Sequence, residues 1–115
     1  MTRVIIAGGR DFINEGLLAT SCNRLLIGSD FEIVSGTARG ADRLGEFYAI
    51  DRNFPIQRFP ADWDKYGKSA GYRRNSEMAD YADMLIAFWN GQSRGTKHMI
   101  DIATEKGLIV HVVKY

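Results

Sequence analysis

Cysteine occurs once in this chain of 115 residues, which excludes an intrachain disulfide and any metal cluster built on cysteine. Cys22 falls in the first helical segment, where a buried, inert thiol is expected rather than a nucleophile. Histidine occurs only at His98 and His111, without an H-x-x-x-H or carboxylate spacing. No metal and no cofactor is therefore expected. A dominant charge is missing too: 15 lysines and arginines against 14 aspartates and glutamates leave +1 at pH 7. That gives no global field for nucleic acid or a membrane. No apolar run approaches the length of a membrane span, and the N-terminus lacks a signal-peptide h-region, so an intracellular, cytoplasmic protein is expected. Also absent are G-x-G-x-x-G, G-x-x-x-x-G-K-[ST] and G-x-S-x-G, which argues against a dinucleotide fingerprint, a Walker-type triphosphatase and a hydrolase elbow.

What is present has the composition of an ordered protein, 45% hydrophobic and 25% charged, and a length suited to one domain over residues 1–115. Five apolar runs, Arg3–Ala7, Phe31–Ser35, Ile56–Phe59, Met84–Phe88 and Leu108–Val113, alternate with helical patterns near Asn14–Ile27, Ala41–Arg52, Gly71–Tyr81 and Thr96–Lys106. Runs apolar nearly throughout suggest strands covered on both faces, as in a parallel sheet. Asn14 suits an N-cap, and Gly28 and Gly107 suit helix stops. His111 among valines marks the last strand as an edge. The β-α-β-α order predicts right-handed crossovers and an α/β three-layer, doubly wound fold.

In such a fold the strand C-termini share one edge, where ligands bind. Here that edge gathers Gly8–Asp11, Gly36–Asp42, Pro60–Ser69 and Asn90–Thr96. Three of these are glycine turns with an arginine in each: Gly8-Gly9-Arg10-Asp11, Ser35-Gly36-Thr37-Ala38-Arg39-Gly40-Ala41-Asp42, and Asn90-Gly91-Gln92-Ser93-Arg94-Gly95-Thr96. Glycine lets backbone approach a phosphate, and free N–H groups and the helix dipole favour an anion. One such turn is what any tight strand-to-helix connection requires. Three on one edge point to a composite site for a phosphorylated ligand.

Arg73 and Arg74 stand near a helix start, against the helix dipole, which points to an anion. The alternative is pairing of both with Glu77. Trp63, Tyr66 and Tyr72 suit either base stacking or fastening of the long connection before that helix. Carboxylates at the proposed crevice are Asp11, Asp42, Asp62, Asp64 and Glu77. A carboxylate can assist N-glycosidic cleavage by stabilising an oxocarbenium-like state or activating water. Asp42 in a first helical turn also simply suits the dipole.

Val4–Arg10, Ser35–Asp42, Pro60–Trp63, Gly71–Ala79 and Asn90–Thr96 together resemble the SLOG superfamily of Rossmann-like proteins, and among them the small YspA-like (cpYpsA-related) branch. The Ser35–Asp42 turn is similar to the Ser-Gly-Gly-Ala-x-Gly-Ile-Asp turn of the DNA-processing protein A family. The resemblance implies a five-stranded sheet ordered 3-2-1-4-5 and a nucleotide or nucleotide-derived ligand over the strand C-termini. Arg74-Asn75-Ser76-Glu77-Met78 is similar to part of the helix motif of the Lonely-guy phosphoribohydrolases, which places Arg74 on that family's functional arginine. Gly95-Thr96 keeps the close of that family's Pro-Gly-Gly-x-Gly-Thr-x-x-Glu turn, but Met99 falls where its glutamate stands.

The expectation is a module that binds a nucleotide or an ADP-ribose-like phosphorylated molecule, as a sensor or sequestering device. Its candidate ligand residues are Gly8, Gly9, Arg10, Asp11, Ser35, Gly36, Thr37, Arg39, Gly40, Asp42, Trp63, Tyr72, Arg74, Arg94, Gly95 and Thr96. Two alternatives stay open. One is a nucleoside 5′-monophosphate N-glycosidase releasing free base, with Arg74 and Glu77 as catalytic residues. The other is a single-stranded DNA-binding module, whose binding would depend steeply on salt. No membrane partner is expected, and a homodimer or higher homo-oligomer stays open.

Overall fold

The computed structural model describes residues 1–115. In chain order the elements are β1 (Thr2–Gly8), α1 (Glu15–Leu25), β2 (Phe31–Ser35), α2 (Ala41–Arg52), β3 (Ile56–Arg58), α3 (Trp63–Tyr66), a 3-10 turn (Gly67–Ser69), α4 (Ala70–Tyr81), β4 (Met84–Trp89), α5 (Arg94–Glu105) and β5 (Ile109–Lys114). All strand pairs are parallel, in the order β3-β2-β1-β4-β5.

The apolar runs become central strands because both of their faces are covered. Val4 and Ile6 of β1 pack with Leu18 and Cys22 of α1 and with Tyr48 and Ala49 of α2. Ile5 and Ala7, pointing the other way, pack with Met78 and Ala79 of α4 and Met99 and Ala103 of α5. Alternation along one strand thus feeds two cores, which is the three-layer arrangement. Burial pushes the Cys22 thiol up to about 12, the environment of an inert cysteine. His111 lies in β5, which is an edge strand as expected.

Local signals set the helix ends. Asn14 caps α1 by accepting the Leu17 N–H at 2.9 Å, and Ser93 caps α5 through Thr96 N–H at 3.4 Å. Gly107 follows α5 at φ 83°, while α1 ends earlier than its glycine, with Leu26 as its C-cap, two residues before Gly28. The segment Pro60–Ser69, expected as a plain connection, contains α3, because Asp62 caps it through the Lys65 N–H at 3.1 Å.

The register aligns the strand ends that matter. Gly8 pairs with Phe88, and Ser35 with Arg58, so the turns after β1, β2 and β4 meet at one edge. Gly40 lets them meet closely. It has φ 78°, and a Cβ there would collide with the Gly9 carbonyl oxygen and lie 2.8 Å from the Arg10 Cα. Gly9 in turn accepts the first N–H of α2, from Ala41, at 3.2 Å. Gly40→Ala is therefore expected to destabilise the protein by about 3 kcal/mol, from left-handed strain plus a backbone collision. Urea unfolding measures this; a loss below about 1 kcal/mol would mean the two turns separate freely.

Candidate functional site

A cleft of about 490 Å³ opens over the strand C-termini. Its floor is Ala7–Asp11 at the end of β1. One wall is Ala38 and Asp42, and the opposite wall is Asn90, Ser93, Gly95, Thr96 and Met99. Lys68 and residues of α3 and α4, including Trp63, Tyr72, Arg74 and Asn75, complete it. Four separated segments therefore form one site, as topology demands.

Two N–H groups of the turn after β2 are engaged within the turn itself. The Ser35 hydroxyl is buried, donates to Glu46 Oε2 at 2.6 Å and accepts the Thr37 N–H at 3.1 Å. Glu46 is held from its other oxygen by Arg58 Nε at 3.0 Å. Thr37 is thereby fixed at φ 66°, a left-handed conformation costly for a branched residue. The Ala38 N–H donates to Asp42 Oδ2 at 3.2 Å. Two donors of the turn, one of them from the expected ligand residue Thr37, are thus satisfied within it.

Arg74 reaches this turn from α4. Its Nη1 donates to the Gly36 carbonyl oxygen and its Nε to Asn75 Oδ1 at 3.1 Å. Burial lowers the Arg74 pKa, Asp42 opposes that effect and Arg10 adds to it. Burial likewise pushes the Asp42 carboxyl from 3.8 up to about 6, against the Ala38 hydrogen bond and the Arg74 and Arg10 charges. Asp42 and Arg74 feel each other without closing into an ion pair; none of the ion pairs involves either. Arg74 does not pair with Glu77, and neither does Arg73, which donates to Ser69 Oγ at 3.1 Å and lies over the Tyr66 ring.

Asn75 is the residue that sequence reasoning passed over. It is buried, and its Nδ2 donates to the Gly95 carbonyl at 3.3 Å and contacts His98 Nδ1 at 3.2 Å. An amide nitrogen only donates, so Nδ1 accepts and neutral His98 carries its proton on Nε2. Burial lowers the His98 pKa, in keeping with that neutral form. One amide thus links Arg74 on α4 to the first turn of α5, and the His98 ring packs on Tyr72 at 4.5 Å. The signal was available: asparagine inside a helix is a poor helix former unless its side chain has a specific partner.

At α5, the Asn90 side chain accepts the N–H groups of Gln92 and Ser93, at 2.8 and 2.9 Å. Ser93 then caps Thr96, leaving the Arg94 and Gly95 N–H groups without an acceptor. Asp11 on the floor accepts the Tyr115 hydroxyl at 2.6 Å.

Of the expected ligand residues, Gly8, Gly9, Arg10, Asp11, Asp42, Trp63, Tyr72, Arg74, Gly95 and Thr96 line this cleft. Gly36, Thr37 and Arg39 line a smaller adjoining hollow together with Arg10 and Arg74. Ser35 and Gly40 act behind the surface, as described, and Arg94 lines neither space. Glu77 is exposed outside both, so the carboxylates facing the cleft are Asp11 and Asp42. No three His, Cys, Asp or Glu side chains gather in a metal-binding group.

This geometry can be set beside known proteins. The family model described as YspA, cpYpsA-related SLOG family matches residues 2–66. The chain belongs to that family. As a SLOG-family protein it is 35% identical over 120 residues to the Gene 61 protein of Mycobacterium phage D29, covering 96% of this chain and 94% of that protein. Its fold matches DNA processing protein A from Streptococcus pneumoniae with a TM-score of 0.73 at 18% identity. That match covers 96% of this chain but spans only 49% of the longer one. The fold expectation, including the strand order, holds in full. No helix is long and apolar enough to cross a membrane.

The raised pKa of Asp42 has a consequence for stability. Between about pH 4 and pH 6 the folded protein holds a proton that the unfolded chain has released, so stability falls as pH rises through that window. Above it the charged carboxylate carries a cost of about 3 kcal/mol. Asp42→Asn keeps an acceptor for Ala38 and removes the charge. It is expected to raise the melting temperature at pH 7.5 by a few degrees and to flatten the dependence between pH 4 and 6. A lower melting temperature at pH 7.5 would mean that attraction to Arg74 outweighs the burial of the carboxylate.

Proposed function

We infer that the cleft binds a nucleotide or an ADP-ribose-like phosphorylated molecule, as a sensing or sequestering module. The observation that carries this reading is Arg74, a half-buried guanidinium that lines the cleft where it meets the smaller hollow and joins no ion pair. A desolvated cation in that state gains most from an anion that completes its hydrogen bonds. The Gly95 N–H at the start of α5 offers a second anion contact from the opposite wall. Trp63 and Tyr72, both about half exposed, provide flat apolar surface at the mouth for a base or ribose.

Binding is favoured over hydrolysis because Met99, buried in the cleft wall, has no oxygen with which to activate water or stabilise a sugar cation. The near-neutral net charge also fits a small ligand better than a nucleic-acid strand.

Thermal-shift measurements with AMP, ADP, ADP-ribose and cyclic AMP test the reading. A ligand at about 100 times its Kd stabilises the native state by about 2.7 kcal/mol, so at least one should raise the melting temperature by several degrees. Arg74→Ala is expected to weaken that binding by about 10- to 100-fold. Arg74→Lys, which keeps the charge and loses the fork, should fall between. No shift with any of these nucleotides would contradict the proposal. Release of ribose 5-phosphate from AMP by the wild type, lost in Arg74→Ala, would replace it with the glycosidase reading.

A further inference from the structure

The cleft continues past Arg74. A second hollow of about 370 Å³ adjoins it and shares Arg10, Ala38, Trp63 and Arg74 with it. The two spaces differ in charge. In the larger, Asp11 and Asp42 face Arg10, Lys68 and Arg74. The smaller is lined by Arg10, Arg39 and Arg74 and by no carboxylate.

Three guanidiniums share one small space that no carboxylate lines. Neither Arg10 nor Arg39 joins any of the five ion pairs. Arg10 is near enough to Arg74 to disfavour its charge. Asp42 in the larger space partly offsets Arg10 and Arg74, and a bound anion supplies the counter-charge that the lining of the smaller hollow lacks. The Thr37 and Ala38 N–H groups at this hollow already have acceptors within the turn. The donors lining it include three arginine forks, which suit the paired oxygens of a phosphate.

We propose that the smaller hollow receives a second phosphate, so that the preferred ligand is a nucleotide carrying two phosphate groups rather than a nucleoside monophosphate. The inference rests on the nucleotide reading of the larger space. The nucleoside and first phosphate lie there, Arg10 and Arg74 stand at the junction, and Arg39 meets the second phosphate alone. The second phosphate is either joined to the first, as in a diphosphate ester, or carried separately on the ribose; both present anionic phosphate oxygens to the arginines.

Isothermal titration at physiological salt with AMP, ADP-ribose and adenosine 3′,5′-bisphosphate decides the matter, and the last two distinguish the sources. At least one of them is expected to bind about tenfold or more tightly than AMP. Arg39→Ala should collapse that preference towards unity. Arg43→Ala removes an exposed arginine of α2 outside both hollows and should keep it. If AMP binds and the other two bind no more tightly, the second-phosphate site is refuted while the nucleotide reading stands. If Arg43→Ala erases the preference as fully as Arg39→Ala, overall charge explains it and the proposal is likewise refuted. If none of the three binds, the nucleotide reading and this inference fall together.

Discussion

The guanidinium of Arg74 joins the two halves of the site. From α4 it donates to the Gly36 carbonyl in the turn after β2, and through Asn75 it is tied to the Gly95 carbonyl at the start of α5. Those attachments leave it half-buried and near Asp42, but without an ion pair. Its position depends on the stiffness of its surroundings. The turn it contacts is fixed from behind by Ser35, Glu46 and Arg58, and Gly40 brings α2 against the turn after β1. The sheet supplies the common edge, and the two cores hold the helices that carry the side chains.

The arrangement is electrostatically poor as a folded object and coherent as a receptor. A carboxylate pushed up by burial and a guanidinium pushed down by burial work against the compact state, and two further arginines beside them join no ion pair. Folded proteins retain such features where binding needs them, because preorganised charges do not have to be rearranged when the ligand arrives. The stability is supplied elsewhere, by β1 and β4, whose side chains are buried on both faces.

Much of this was legible in the residues. Runs apolar nearly throughout pointed to strands covered on both faces, and the three glycine turns marked the edge where they end. Asn14 and Gly107 read directly from local chemistry. The strand order came through family resemblance, since pairing is a long-range property. The turn at Ser35–Asp42 was placed at the site, yet its role was not legible: whether Thr37 and Ala38 donate to a ligand or to Ser35 and Asp42 depends on side-chain directions. Glu77 misled for a related reason. It lies one turn from Arg74, but α4 buries Asn75 and Met78 and leaves Glu77 in solvent.

An amide chemical-shift map of isotopically labelled protein, recorded while ADP-ribose is added, addresses the central claim most directly. The account predicts saturable shifts clustered at Gly9–Asp11, Thr37–Arg39, Arg74–Asn75 and Gly95–Thr96, with α1 and the outer edge of β5 unmoved. Saturable shifts confined to any other surface, with the Arg74 and Gly95 amides unmoved, would contradict it.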